Sequence, residues 1–61
     1  MNDLKQRFLK VFSGLPLGVR NEIVLTLDDR PITWDVAFIE VSSDTEMSKI
    51  ILKKLNKLDI I

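Results

Sequence analysis

A few residues of this chain carry groups that could take part in chemistry. Asp28 and Asp29 are adjacent carboxylates, and hard divalent cations bind several such oxygen ligands together. Without the spaced ligands of a calcium loop, two aspartates followed by Arg30 and Pro31 are more typical of a tight turn. Lys54 falls among apolar residues, where a desolvated amine could act as a base or a nucleophile. The more common arrangement keeps the stem on apolar surface and the ammonium group in water, which is what we expect here.

The residue types that are missing narrow the possible functions further. The chain contains no histidine, no cysteine and no tyrosine. Histidine is the side chain that titrates near neutral pH and the commonest metal ligand, while cysteine supplies thiolate nucleophiles and zinc sites. The hydroxyl groups of Ser42, Ser43 and Thr45 have no histidine to activate them and are typical of a helix cap. We therefore expect a protein that is not an enzyme and that holds no metal or cofactor.

Lysines recur along the carboxyl-terminal segment. Lys49, Lys53 and Lys57 are spaced by four residues, which places them on the same side of a helix. Such a row could contact the phosphate groups of nucleic acid. It is also the ordinary solvated side of an amphipathic helix, and a net charge of zero gives little long-range attraction for nucleic acid. Weak nucleic-acid binding through these lysines is therefore the alternative function.

The elements that position these residues begin with an amphipathic helix. Asp3 and Gln6 fit a capping box at its start, and Gly14 followed by Pro16 marks its end. The apolar residues of the connection at 14–21 are expected to lie against the core. The apolar positions of the helix recur at helical spacing and comprise Leu4, Phe8, Val11, Phe12 and Leu15.

A β-hairpin is predicted next. Apolar and polar residues alternate over residues 22–28, and a return strand begins at 32–33 after the turn. A lone two-stranded hairpin is marginally stable in water, so we expect its apolar face to pack against both long helices. That face is predicted to consist of Ile23, Leu25 and Leu27.

The segment at 34–41 fits two structures. Thr33 as an N-cap and Asp35 in the first turn favour a short helix. The β-branched residues of the segment favour a strand. We predict the helix and keep a second strand over 32–41 as the alternative. The helical stripe would comprise Trp34, Ala37, Phe38 and Val41.

The last segment predicts a long amphipathic helix. Ser43 and Glu46 match the S-x-x-E capping box. Leu52 is expected at the margin of the buried stripe, and Ile60 with Ile61 would form an apolar tail. The stripe itself is predicted to comprise Met47, Ile50, Ile51, Leu55 and Leu58.

These elements predict one α+β domain over residues 1–61, in the order helix, β-hairpin, short helix, long helix. A chain of this size buries only about 60% of the surface of its unfolded form, and it has no cysteine for a disulfide. Its charges are segregated. Residues 1–20 carry four cations and one carboxylate, residues 21–46 one cation and seven carboxylates, and residues 47–61 four cations and one carboxylate. Opposite charges could therefore pair within one copy or between copies.

We expect a non-enzymatic interaction module that forms a homodimer or small homo-oligomer, or that binds another protein. The candidate contact residues are Trp34, Leu52, Ile60 and Ile61, although a tryptophan in so small a domain more often serves the core. No apolar run approaches the roughly 20 residues of a membrane span. The first ten residues are rich in charge and do not resemble a signal peptide. A cytoplasmic location without membrane association is the expectation.

Overall fold

The computed structural model describes residues 3–61, which form three α-helices, a one-turn 3₁₀ helix and a two-stranded antiparallel sheet. The predicted α+β class and element order are confirmed, and residues 34–41 are helical rather than a second strand. Within residues 3–61, no helix has the length and apolar character that crossing a bilayer requires. The elements are α1 (Asp3–Ser13), the 3₁₀ turn (Leu17–Val19), β1 (Ile23–Leu27), β2 (Arg30–Thr33), α2 (Trp34–Ser42) and α3 (Glu46–Lys57).

The core lies where the three α-helices and one face of the hairpin meet. Phe8 is completely buried, with the ring centroid of Phe12 at 6.0 Å and that of Trp34 at 5.9 Å. Aromatic pairs at such separations add to the free energy gained by burying their area. The buried apolar side chains of the described residues are Phe8, Phe12, Leu25, Ile32, Trp34, Ala37, Val41, Ile51, Leu52 and Leu55.

The hairpin turns at Asp28 and Asp29, within the predicted turn, but β2 begins at Arg30 rather than at Ile32 as predicted. Leu27 pairs with Arg30, so these two aspartates form the whole loop. Their φ angles are 47° and 66°, and positive φ at both central residues is the backbone of a type I′ turn. The two carboxylates are therefore explained by the geometry of the turn.

The predicted apolar face of β1 is wrong at Ile23. Ile23 pairs with Thr33 and Leu25 pairs with Ile32, so β1 contains one extra residue at this point. Such a β-bulge changes the side to which the flanking side chains point. As a result Leu25 is buried and Ile23 is exposed.

Helix α2 begins as the sequence predicts. The Thr33 hydroxyl oxygen accepts the Val36 N–H at 3.1 Å, and Asp35 lies in the first turn. The N–H groups of Trp34 and Asp35 donate to the carbonyl oxygens of Glu22 and Arg20, at 3.1 and 2.9 Å. These bonds satisfy N–H groups that have no partner within a helix, and they fix the start of α2 against the chain before β1.

Helix α3 begins two residues later than the predicted capping box allows. Thr45, not Ser43, is the N-cap, and its hydroxyl oxygen accepts the Ser48 N–H at 3.1 Å. Ser43 instead ends α2, and Asp44 reverses the chain with a φ of 51°. The S-x-x-E match is therefore coincidental, because its serine belongs to the preceding helix.

The buried stripe of α3 also differs from the prediction. It comprises Ser48, Ile51, Leu52 and Leu55, whereas Ile50 and Leu58 are exposed and Met47 is half-buried. The observed stripe begins with a polar residue, Ser48. A prediction based on apolar positions alone therefore places the stripe on a different side of the helix. Ser48 tolerates burial because its hydroxyl donates to the Thr45 carbonyl oxygen at 2.6 Å.

Two expectations for the first third of the chain need smaller corrections. Asp3 already lies within α1 and so does not cap it. In the connection that follows, Leu15 and Val19 pack against the core as expected, but Leu17 is 79% exposed. A single 3₁₀ turn at this point directs Leu17 into solvent.

Candidate functional site

Helix α2 exposes apolar side chains on the side that faces away from the core. It buries Trp34, Ala37 and Val41 while Val36 and Ile39 point outward, with Ile39 60% exposed. Residues three positions apart lie next to each other on a helix, so Val36 and Ile39 form a continuous surface. Ile23 lies beside the first turn, because it pairs with the capping residue of α2. Ile23, Val36 and Ile39 are called the α2 surface below.

The charges carried by helix α2 itself are negative. Asp35 and Glu40 are the two ionisable residues of α2, which contains no cation. Asp35 is exposed, and Glu40 is half-buried with its carboxylate accepting the Thr45 hydroxyl at 2.6 Å. The result is an apolar centre beside carboxylates that have no ion-pair partner among residues 3–61.

A groove with a volume of about 640 Å³ lies between the hairpin and α3. Its charged lining consists of Arg30 and Lys54 with one carboxylate, Asp28. Hydrophobic lining with a few charged groups is typical of concave sites that bind a ligand. The apolar lining residues are Leu27, Ile32, Met47 and Ile50.

The structure therefore brings Asp28 and Lys54, two of the residues selected for possible chemistry, to one groove. They form no ion pair within 4.0 Å, and Asp29 is not part of the lining. In residues 3–61 no three acidic side chains lie close enough together to hold a metal ion. The arrangement offers separated charges around an apolar centre, which suits docking of an apolar surface better than acid–base chemistry.

The three lysines proposed as phosphate contacts are all exposed on α3. Lys49 is paired with Glu46, with Nζ 3.3 Å from Oε1, while Lys53 and Lys57 form no ion pair among the described residues. Ile50, 56% exposed, lies on the same side of the helix, three positions before Lys53. The outward side of α3 is thus basic with an apolar residue within it.

The residues selected as contact candidates lie elsewhere. Trp34 and Leu52 belong to the core, and Leu52 is only 2% exposed. Ile60 and Ile61 are half-buried and pack against that core, and the Ile60 N–H donates to the Leu55 carbonyl oxygen at 2.9 Å. In this fold these four side chains stabilise the domain, so we do not include them in the proposed contact surfaces.

One polar contact could not have been expected from the sequence. The Arg20 guanidinium carbon lies 4.5 Å from the centroid of the Phe12 ring, and Nη2 donates to the Phe12 carbonyl oxygen at 3.5 Å. Phe38 stacks on the same Phe12 ring with a centroid separation of 4.5 Å, and this contact covers part of the Phe38 side chain. Cation–π and stacking contacts of this kind stabilise an exposed edge of the core.

The sequence does not predict the α2 surface, because Val36 and Ile39 lie outside the predicted stripe and are considered only as β-branched residues that favour a strand. The predicted stripe itself is wrong at Phe38, which is exposed. The signal was present, because Val36 and Ile39 lie on the side of the helix opposite to its buried stripe, where an amphipathic helix usually carries polar residues. Comparison of this chain with protein-family models, curated proteins and solved structures gave no significant match.

Proposed function

We propose that this protein is a small, non-enzymatic interaction module that self-associates. The observation that carries the proposal is the α2 surface, an exposed apolar surface on a helix whose other side already anchors it in the core. Single exposed apolar residues are ordinary, but contiguous ones mark sites of association. The proposal requires no cofactor, and the cytoplasmic location expected from the sequence remains part of it.

The affinity should be modest. Complete burial of one valine or isoleucine side chain stabilises by about 1.5–3 kcal/mol, and the three residues of the α2 surface are already partly covered. Association also costs at least several kcal/mol in lost translational and rotational freedom. The difference corresponds to a transient contact that forms at high protein concentration.

The test is the molar mass in solution, measured by light scattering after size exclusion from low to high micromolar concentration. We expect the mass to rise above the 7.0 kDa of one copy as concentration increases. Ile39→Ser should suppress the rise, because it removes the most exposed of the large apolar residues of α2. The matched control is Leu17→Ser, which changes an even more exposed leucine outside α2 and should leave the rise intact.

A wild-type mass that stays at 7.0 kDa throughout would exclude self-association. The interaction module would then have to bind a different protein. An Ile39→Ser variant that associates like the wild type would show that α2 is not the contact surface.

The alternative function is weak nucleic-acid binding through Lys49, Lys53 and Lys57. It is supported by the exposure of all three and by the lack of an ion pair at Lys53 and Lys57 among the described residues. Binding to phosphate groups should weaken steeply as ionic strength rises, because counterions are released. A titration of labelled single- and double-stranded DNA and RNA in low salt tests it, and undetectable binding would end this alternative.

A further inference from the structure

We infer that the α2 surface of one copy docks into the groove between the hairpin and α3 of a second copy. This inference rests on the proposed self-association and specifies which surfaces of the two copies meet. The first observation that supports it is the difference in charge between α2 and α3. Helix α2 carries two carboxylates and no cation, whereas α3 carries four lysines and one carboxylate.

Contact between two identical surfaces is disfavoured by these charges. If α2 packed against α2 of a second copy, the carboxylates of Asp35 and Glu40 would approach their own equivalents. If groove packed against groove, Arg30 and Lys54 would approach theirs. Like charges at an interface oppose association, and opposite charges favour it and select the partner surface. The unlike pairing of α2 surface with groove is the one that the charges favour.

The shapes are also complementary. Helix α2 is nine residues long, and its outward side is convex, with Val36 and Ile39 on one ridge. The groove is concave and has four apolar lining residues, two from the hairpin and two from α3. An apolar helix side in an apolar groove is a recurring mode of protein recognition, anchored by residues at i and i+3. Arg30 and Lys54 would then lie near the carboxylates that flank the α2 surface, against one carboxylate of their own at Asp28.

A contact between two unlike surfaces has a distinctive consequence for assembly. After pairing, one copy still has a free groove and the other still has a free α2 surface, so further copies can add at both ends. The average mass should therefore continue to rise with concentration rather than level off at a dimer. The rise should weaken in high salt, because exposed charges are screened.

The decisive experiment uses two variants that each damage one surface. Ile39→Glu places a charge in the centre of the α2 surface, and Ile50→Glu places one in the groove. Both residues are exposed, so both variants are expected to fold. Each variant alone should remain at 7.0 kDa, because one of the two required surfaces is missing. An equimolar mixture should form a 1:1 complex of twice that mass and nothing larger, since the intact groove of one variant accepts the intact α2 of the other.

Other outcomes overturn the inference in distinguishable ways. If both variants and their mixture stay monomeric, the interface is symmetric and contains both residues. If Ile50→Glu associates like the wild type, the groove takes no part, although self-association itself survives. If the wild type is monomeric at every concentration, the proposed function fails together with the inference. Leu17→Glu is the control for an added carboxylate outside both surfaces, and circular dichroism checks the fold of each variant.

A second measurement covers the case in which Ile50→Glu does not fold. Asp35→Lys and Lys54→Glu each reverse one charge on an exposed residue, one beside the α2 surface and one in the groove. Each change alone should weaken association, and the double variant should recover it, because both signs are exchanged. A double variant that associates no better than the weaker single variant would contradict the pairing of these two surfaces.

Discussion

Helices α2 and α3 follow each other along the chain and pack together, yet they differ in the side that they turn to solvent. Helix α3 buries one apolar stripe, and its outward side carries its lysines with Ile50 as a single exposed apolar residue among them. Helix α2 buries an apolar stripe and also exposes two neighbouring apolar residues, Val36 and Ile39. Folding in water accounts for the lysines on the outward side of α3. It does not account for the outer side of α2, and this difference is why we assign the contact to α2.

The two helices begin and end in the same way, so the difference to be explained lies in the sides that they turn to solvent. Thr33 caps α2 and Thr45 caps α3, in both cases through a side-chain oxygen. At the other end, Asp44 and Asp59 adopt positive φ angles of 51° and 59°. In each case the next residue donates its N–H to the carbonyl oxygen five positions earlier, at 3.3 Å for α2 and 2.9 Å for α3. This is the Schellman arrangement, with aspartate at the position that glycine usually occupies.

The largest expected effect comes from adjacent isoleucines on α3. Ile51 is fully buried and Ile50 is 56% exposed. Ile51→Ala should destabilise by about 2–5 kcal/mol, because it removes buried methylene groups and leaves a cavity. Ile50→Ala should stay within about 0.5 kcal/mol. Urea unfolding at a concentration where the protein is monomeric measures both values.

Urea unfolding of two α2 variants tests whether the outward side of α2 contributes to the stability of a single copy. Val41 is fully buried and Val36 is exposed, so Val41→Ala should cost clearly more stability than Val36→Ala. Equal losses for the two valines would mean that the outer side of α2 contributes to folding of the single copy. The exposed valine and isoleucine of α2 would then have a role in folding and would not indicate a contact surface.

The sequence predicts the type and order of the elements better than it predicts which side of each element faces the core. Thr33, Asp35 and the turn at Asp28 and Asp29 are predicted correctly, because these features depend on residues close in sequence. The caps predicted at Asp3 and Ser43 are wrong, since the helices begin at other residues. Which side of an element faces the core depends on packing, and there the prediction was wrong at Ile23 and Ile50. The bulge in β1 and the internally bonded Ser48 both shift the apolar pattern, and neither leaves a signal in hydrophobicity.

The candidate site was harder to predict for the same reason. Arg30 and Lys54 are far apart in sequence and line one groove only because the hairpin lies beside α3. The sequence predicts Leu52 at the margin of the buried stripe and as a contact residue, but Leu52 is buried. It predicts Ile50 in the core, but Ile50 is exposed. A rotation of α3 by a fraction of a turn exchanges the roles of such residues.

A smaller effect is expected at the N-caps. Thr33→Ala and Thr45→Ala each remove a side-chain acceptor for a helix N–H and should cost about 1 kcal/mol. The loss at Thr45 should be the larger, because its hydroxyl also donates to the Glu40 carboxylate at 2.6 Å. Thermal or urea unfolding of the monomer measures both. Ser43→Ala is the control, and a loss at Ser43 equal to that at Thr45 would contradict the observed start of α3.

The smallest effect is expected at the C-terminal ends, where replacement by glycine should be stabilising or neutral. A left-handed conformation is strained for residues with a side chain and unstrained for glycine. Asp59→Gly should therefore raise the free energy of unfolding by about 0.5 kcal/mol, helped by removal of a negative charge from a helix C-terminus. Asp44→Gly should gain less, since it also breaks the ion pair in which Lys5 Nζ lies 3.0 Å from the Asp44 carboxylate.

Asp59→Asn separates the two causes of that gain, because asparagine tolerates positive φ but carries no charge. If Asp59→Asn recovers the whole gain, the charge explains it, and if it recovers none, the conformation does. A loss of stability in Asp59→Gly would show that the Asp59 carboxylate makes a contact that stabilises the fold. Similar responses at the ends of α2 and α3, together with different responses on their outward sides, would leave Val36 and Ile39 as the feature that distinguishes the two helices. Those residues would then be the part of the molecule that folding alone does not explain.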